Sequence, residues 1–214
     1  MGRENKKEAV AALHREQIMK AAEKLFMENG YAQTTIEDIS KTSEYSRRTI
    51  YAYYESKEDI LHHIVEKGLL ELKQDIENAI NQGGDFITTY KAICMSIYKY
   101  QRECPNLIEN VNGVNAADFE HGNLSDTVKN ILLLGTEINT TLAAFIGKGK
   151  ENGIVRQDTV PMLTVYVLWS SLTSLFMLVK TKGQFISKQF SVSEQEFLDY
   201  GFKQLINAVL EKRI

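Results

Sequence analysis

The chain has 214 residues, 43% of them hydrophobic and 25% charged, with two prolines, two cysteines and thirteen glycines. That balance excludes collagen-like, low-complexity and intrinsically disordered chains, and the length suffices for one compact domain or two small ones. The net charge of −3 argues mildly against a nonspecific nucleic-acid coat; residues 1–57 carry ten basic and nine acidic side chains, the rest fifteen and nineteen, an asymmetry too slight to decide anything. Cys94 and Cys104 fall in one expected helix, roughly 15 Å apart, so no disulfide joins them, and they read as buried thiols of a reducing compartment. The polar start Met1–Lys7 lacks the apolar core of a secretory signal, which points to a cytoplasmic protein.

Helical periodicity runs almost end to end, and no stretch alternates convincingly enough for a strand, so the expected class is all-α. A first helix reads from about Leu13 to Asn29, with Ile18, Ala21, Ala22, Leu25 and Phe26 on one buried face and Gly30 as its stop. Arg3–Ala12 either continues it or remains a loose arm. Thr35 opens a short second helix, Ile36 to about Thr42, with Asp38 placed to close a capping box. The turn Ser43-Glu44-Tyr45 leads to Ser46, the expected N-cap of a third helix through Tyr54. Ser56 caps a fourth, again with an acid three residues on at Asp59, reaching about Asn81.

Beyond it, Asp85 caps a helix Phe86–Glu103 ended by Pro105. The piece Asn106–Asn123 is irregular, punctuated by Gly113 and Gly122. Leu124 to about Glu151 is helical, Pro161 opens a helix to about Lys182, and Ser193 with Glu196 boxes the last helix, Glu194–Lys212. The apolar stretch Met162–Val179 is diluted by Thr164, Trp169, Ser170, Ser171, Thr173 and Ser174, so it reads as a helix buried at a core or subunit interface, and no membrane contact is expected.

Two short helices joined by a three-residue turn, between a longer one and a long one, are the layout of a helix-turn-helix reader. On a helical wheel Ile50, Tyr53 and Tyr54 share one sector of the third helix, and Arg47, Arg48, Tyr51 and Ala52 fall opposite. Arginines fork onto the O6 and N7 of guanine, and a small alanine lets the backbone approach a major groove. Thr49, Tyr51 and Tyr53 offer hydroxyls to phosphates, and Lys57 adds a charge beside the next helix's N-terminal N–H groups. A pair of exposed arginines taken alone is more often a solvated face, and the tyrosine cluster more often packing. The ordered run of cap, turn, cap and wheel is what favours DNA contact.

The run Gly30-Tyr31-Ala32-Gln33-Thr34-Thr35-Ile36-Glu37-Asp38-Ile39-Ser40, followed by Ser46-Arg47-Arg48-Thr49-Ile50-Tyr51-Ala52-Tyr53-Tyr54-Glu55-Ser56-Lys57-Glu58-Asp59-Ile60, closely resembles the DNA-binding domain of the TetR family of bacterial transcriptional regulators. The resemblance is specific over residues 13–65. It implies Arg47, Arg48 and Thr49 as base-proximal readers, Thr35, Tyr51, Tyr53 and Lys57 as phosphate contacts, and Ile50 and Tyr54 as core. Where family members commonly have Gly then Val in the turn, this chain has Glu44 then Tyr45. A left-handed Glu44 costs about 1 kcal/mol and sets a carboxylate near the DNA.

The expected organisation is a helix-turn-helix domain over 1–57 and a larger helical ligand-binding and dimerisation domain over 58–214. The resemblance implies a homodimer on a near-palindromic double-stranded DNA operator, most simply a repressor released by a small-molecule effector. Val167, Leu168, Ser171, Leu172, Leu175, Phe176 and Leu178, with Phe197, Leu198, Phe202, Leu205, Ile206, Val209 and Leu210, are apolar enough for dimer helices. Burial within one chain is the alternative.

Tyr90, Cys94 and Tyr98 share one face, and Trp169, Thr173 and Met177 another. As pocket walls they suit a hydrophobic, weakly polar effector, although such stripes are more often core. An alternative assigns the C-terminal part to a protein partner. His62 and His63 point about 100° apart and His14 and His121 are isolated, so no metal site is expected. With no phosphate loop or nucleophile elbow, neither catalysis nor a cofactor is expected.

Overall fold

The structure, a computed structural model, describes residues 3–103 and 124–213. Cys104, Pro105, the irregular piece 106–123 and His121 lie outside the described residues.

Among those described, the chain is all-α as expected. The helices are α1 (Arg3–Asn29), α2 (Ile36–Ser43), α3 (Arg47–Tyr51), α4 (Lys57–Asn81), α5 (Phe86–Glu103), α6 (Asp126–Glu151), α7 (Pro161–Phe190) and α8 (Glu194–Asn207). Their starts follow from capping chemistry. Thr35 accepts the Asp38 N–H at 3.2 Å while Asp38 accepts the Thr35 N–H at 3.0 Å, and the Thr35 hydroxyl and N–H hold the Asp38 carboxyl below its ordinary range. Ser193 and Glu196 repeat this box, and Asp85 takes the N–H groups of Ile87 and Thr88 at 2.9 and 3.0 Å. Ser56 takes the Asp59 N–H at 3.0 Å, but Asp59 reaches back to Glu55 rather than to Ser56, at 2.9 Å.

Residues 3–12 continue α1 as helix. Three other boundaries differ from the sequence reading. α3 ends at Tyr51, where the chain begins to turn toward Ser56. α7 runs on to Phe190 and stops where Ser191 turns left-handed at φ 53°. α8 ends at Asn207, because the following strand-like residues pair back: Arg156 N–H donates to Val209 O at 3.0 Å and Glu211 N–H to Ile154 O at 2.9 Å.

The chain divides into two compact units, one from residues 1–70 and 102–132, the other from 71–101 and 133–214. In the first, α1 packs on α2 and α2 on α3, over a core of Ile18, Ala22, Phe26, Ile39, Ile50, Ile60 and Val65. In the second, α7 packs on α8, with Leu172, Phe176, Val179, Leu198, Phe202 and Ile206 buried. The Phe86 and Phe145 rings stack there with centroids 4.6 Å apart. Gly149 makes room for them, since a Cβ at that position would lie 2.5 Å from the Phe86 ring.

By length and composition alone, α6 and α7 are apolar enough to cross a bilayer. α7 nevertheless spends one face on the unit's core and carries Ser170, Ser171 and Ser174 along its length.

Candidate nucleic-acid interface

The first unit is assembled around α3. The stripe Ile18, Ala21, Ala22, Leu25 and Phe26 of α1 is buried. Gly30 at φ 81° ends the helix, and the buried Thr34 hydroxyl donates to carbonyls of Leu25 and Gly30 at 3.2 and 2.9 Å. α2 ends at Glu44, which is left-handed at φ 61° and ψ 15°. Ser40 then donates to the Tyr45 carbonyl at 2.7 Å, and Ser46 caps α3 by accepting the Thr49 N–H at 3.1 Å. Ile50 is fully buried and Tyr54 nearly so. The Tyr54 hydroxyl donates to the Arg15 carbonyl at 3.0 Å, and burial pushes its phenol up to about 12.

These anchors leave Arg47, Arg48, Tyr51 and Ala52 exposed on the other side of α3. Arg47 rests against Glu37 of α2, Nε to carboxylate 3.4 Å, with both side chains more than half exposed. Such a surface pair is worth little and exchanges readily for another anion. Arg48 makes no ion pair among the described residues. Thr49 shares a 2.8 Å hydroxyl contact with Ser46, and the exposed Thr35 is engaged in its capping box.

Two of the expected phosphate contacts have structural tasks. The Lys57 ammonium donates to the carbonyls of Tyr31 and Thr34, each at 2.8 Å, and lies 4.2 Å from the Tyr31 ring centroid. It fastens the α1–α2 loop and keeps one of its three N–H donors. The Tyr53 hydroxyl meets His14 Nδ1 at 3.0 Å, and the Arg15 guanidinium stands 5.4 Å from its ring centroid.

His14, isolated in the sequence reading, is therefore a brace. Its ring lies 4.9 Å from that of Tyr45 and 5.8 Å from that of Tyr53, while the Tyr45 hydroxyl donates to Gln17. One turn of α1 thus holds tyrosines on both flanks of α3. The signal was available, because His14 extends the Ile18, Ala21, Leu25 stripe by one turn toward the N-terminus. The same brace fixes Tyr45, the residue after the left-handed Glu44. Glu44→Gly is expected to raise stability by up to about 1 kcal/mol through relief of the left-handed backbone. A thermal melt reads this as a rise of a few degrees, and an unmoved midpoint would mean that the turn bears no strain.

In the second unit, Tyr90, Cys94 and Trp169 line a small apolar cleft formed by α5, α6 and α7 and partly open to solvent. Tyr98, Thr173 and Met177 are not in its wall. Tyr98 is buried elsewhere, with its hydroxyl on the Glu194 carboxylate and its ring 5.0 Å from Phe176, and Met177 is exposed. The reason is helical drift: each step of four residues rotates about 40°, so Tyr98 stands about 80° round α5 from Tyr90, and Thr173 and Met177 stand about 80° and 120° round α7 from Val165, with which its part of the wall begins. Burial pushes the Cys94 thiol up to about 12 and the Tyr90 phenol well above its ordinary value. Among the described residues no group of three His, Cys, Asp or Glu side chains is arranged to hold a metal ion.

Residues 18–64 match the family model described as bacterial regulatory proteins, tetR family. The HTH-type transcriptional regulator HbdR of Aromatoleum sp. (strain CIB) is 34% identical over 86 residues, which are 40% of this chain and 36% of that protein. The chain therefore spans about a third of the length of that relative. The HTH-type transcriptional repressor DhaR of Mycobacterium sp. (strain GP1) is 22% identical over 171 residues, 78% of this chain and 82% of that protein. Among solved structures, the fatty acid degradation regulator FadR of Bacillus halodurans superposes with a TM-score of 0.68 at 17% identity, covering 90% of this chain and 94% of that one. The TetR family regulator PfmR of Thermus thermophilus gives 0.67 at 20% identity, covering 91% and 99%. These likenesses establish the fold across both units.

Proposed function

We propose that this chain, whose residues 18–64 belong to the TetR family of bacterial regulatory proteins, is a cytoplasmic repressor. It binds a near-palindromic operator as a homodimer and is released by a small-molecule effector held in the second unit. The observation that carries the DNA reading is the exposed Arg47–Arg48 face of α3, opposite a buried Ile50. Arg48 and Arg47 read base edges, Arg47 leaving Glu37 to do so, with Thr49 beside them. Thr35, Tyr51 and Tyr53 meet phosphates, and Lys57 does so through its remaining N–H while holding the α1–α2 loop. The name of DhaR, a repressor matching most of this chain, is what supports repression. The cleft favours a small effector over a protein partner as the signal. An effector acts only through unequal affinity for the DNA-bound and released states.

The test is selection of bound sequences from random duplex DNA, expected to enrich an inverted repeat. On that sequence Arg48→Ala weakens specific binding by about 1–3 kcal/mol while its thermal midpoint stays put, because the side chain is exposed and makes no ion pair among the described residues. Undiminished affinity would remove α3 as the reading helix.

A further inference from the structure

The Tyr53 hydroxyl has two claims on it. His14 Nδ1 lies 3.0 Å away, and a phosphate contact would use the same group. A phenol has one proton to give and lone pairs to receive with, whereas a phosphate diester oxygen only accepts. Tyr53 therefore spends its proton on the phosphate or on His14, and not on both. With the proton on the phosphate, a bare imidazole nitrogen would set its lone pair against the phenol oxygen at hydrogen-bond distance. The contact survives only if Nδ1 carries a hydrogen and donates. A chain of donors then runs one way, from His14 to Tyr53 to phosphate, and each link strengthens the next.

The surroundings suit that role. The His14 ring is half-buried and held between two tyrosines, 4.9 Å from the Tyr45 ring and 5.8 Å from the Tyr53 ring. Tyr45 is itself tied to Gln17 one turn further along α1, which fixes the aim of Nδ1. His14 Nε2 makes no hydrogen bond among the described residues, so no partner there commits the ring to one tautomer. The Arg15 guanidinium meets the Tyr53 ring, 5.4 Å from its centroid, rather than the hydroxyl, and Tyr53 is half-buried rather than enclosed.

We infer that His14 is a positioning residue for DNA: its Nδ1–H donates to the Tyr53 oxygen and so turns the Tyr53 proton onto a backbone phosphate. The inference rests on the reading of Tyr53 as a phosphate contact and names what orients that contact.

Two substitutions separate this role from packing. His14→Phe keeps a ring between the tyrosines and has no donor, whereas His14→Asn gives up the ring and sets an amide N–H where Nδ1 stands. His14→Phe is expected to weaken binding roughly fivefold and His14→Asn to stay within about twofold of the parent; a ring that only packs gives the reverse order. A phosphate contact carries no base information, so the loss in His14→Phe should be the same on the selected operator and on a scrambled duplex of equal length. Fluorescence anisotropy with the full-length protein at one salt concentration reads both. Tyr53→Phe should lose as much, and adding His14→Phe to it should cost no more. In long-range 1H–15N spectra of the duplex complex, the His14 signals, identified by their absence in His14→Asn, should show a hydrogen on Nδ1. Binding weaker in His14→Asn than in His14→Phe, a loss confined to the operator, or a bare Nδ1 in the complex each overturns the inference. A loss in Tyr53→Phe without one in His14→Phe removes His14 alone, and unchanged binding in Tyr53→Phe removes the phosphate contact and the role of His14 with it.

Discussion

Two lysines on the outer face of α7, Leu163→Lys with Val167→Lys, are expected to turn the proposed dimer into a monomer and lower operator affinity by at least about 100-fold. In the single chain both side chains are 63% exposed, and the apolar face continues through Leu178 to Phe185, itself 64% exposed. The positions step by three and four residues, Leu163, Val167, Ser170, Ser174, Leu178, Thr181 and Phe185, the seam of two helices packed side by side. Burying such a seam at about 25 cal/mol per Å² of apolar surface drives association, and paired like charges placed in it oppose association. Because neither side chain is in the chain's own core, the helical signal should be unchanged. The affinity loss arises because a monomer engages half-sites one at a time. Sedimentation velocity with an operator titration reads both effects, and a dimer that persists in the double variant would assign association to another surface.

Ile50→Ala is expected to cost about 2–5 kcal/mol of stability and with it specific DNA binding. α3 spans only five residues, Arg47–Tyr51, with Ile50 as its one fully buried side chain. A helix this short has no stability of its own and exists because tertiary packing holds it. Emptying the Ile50 site therefore loosens the surface that carries Arg47 and Arg48. The contrast with Arg48→Ala is diagnostic, since that change should affect operator affinity and leave the melt alone, whereas Ile50→Ala should affect both. Ile50→Val, with one methylene fewer, should cost about 0.5–1.5 kcal/mol and retain binding. A melting temperature unmoved by Ile50→Ala would mean that α3 is held some other way.

The parts of this molecule legible in its sequence are those decided within a few residues. Thr35 with Asp38, Ser46, Asp85, and Ser193 with Glu196 each satisfy N–H groups two or three residues away, so their spacing alone announces a helix start. Gly30 announces a stop in the same way. Positions decided by distant packing were harder to read. The helix opened by Pro161 reads as ending at about Lys182, but α7 runs on to Phe190. Tyr98, Thr173 and Met177 kept their expected helices yet missed the cleft, because small rotations accumulate along a helix. Lys57 looked like a free cation until two carbonyls 23 and 26 residues upstream were found on its ammonium. His14 is the converse, a residue dismissed as isolated whose partners are brought to it only by the fold.

Gly149 has a bearing on how such a protein changes its ligand. It is not in the cleft wall of the second unit; it lets the Phe86 ring lie against bare backbone and so permits the stack on Phe145, whose side chain is part of that wall. A methyl group there would press on the ring and, through the stack, on the wall, altering the shape of the void while every recognition group stays in place. Selectivity among related molecules thus has a tuning point remote from the chemistry of recognition, where single substitutions trade stability against the size of what is admitted.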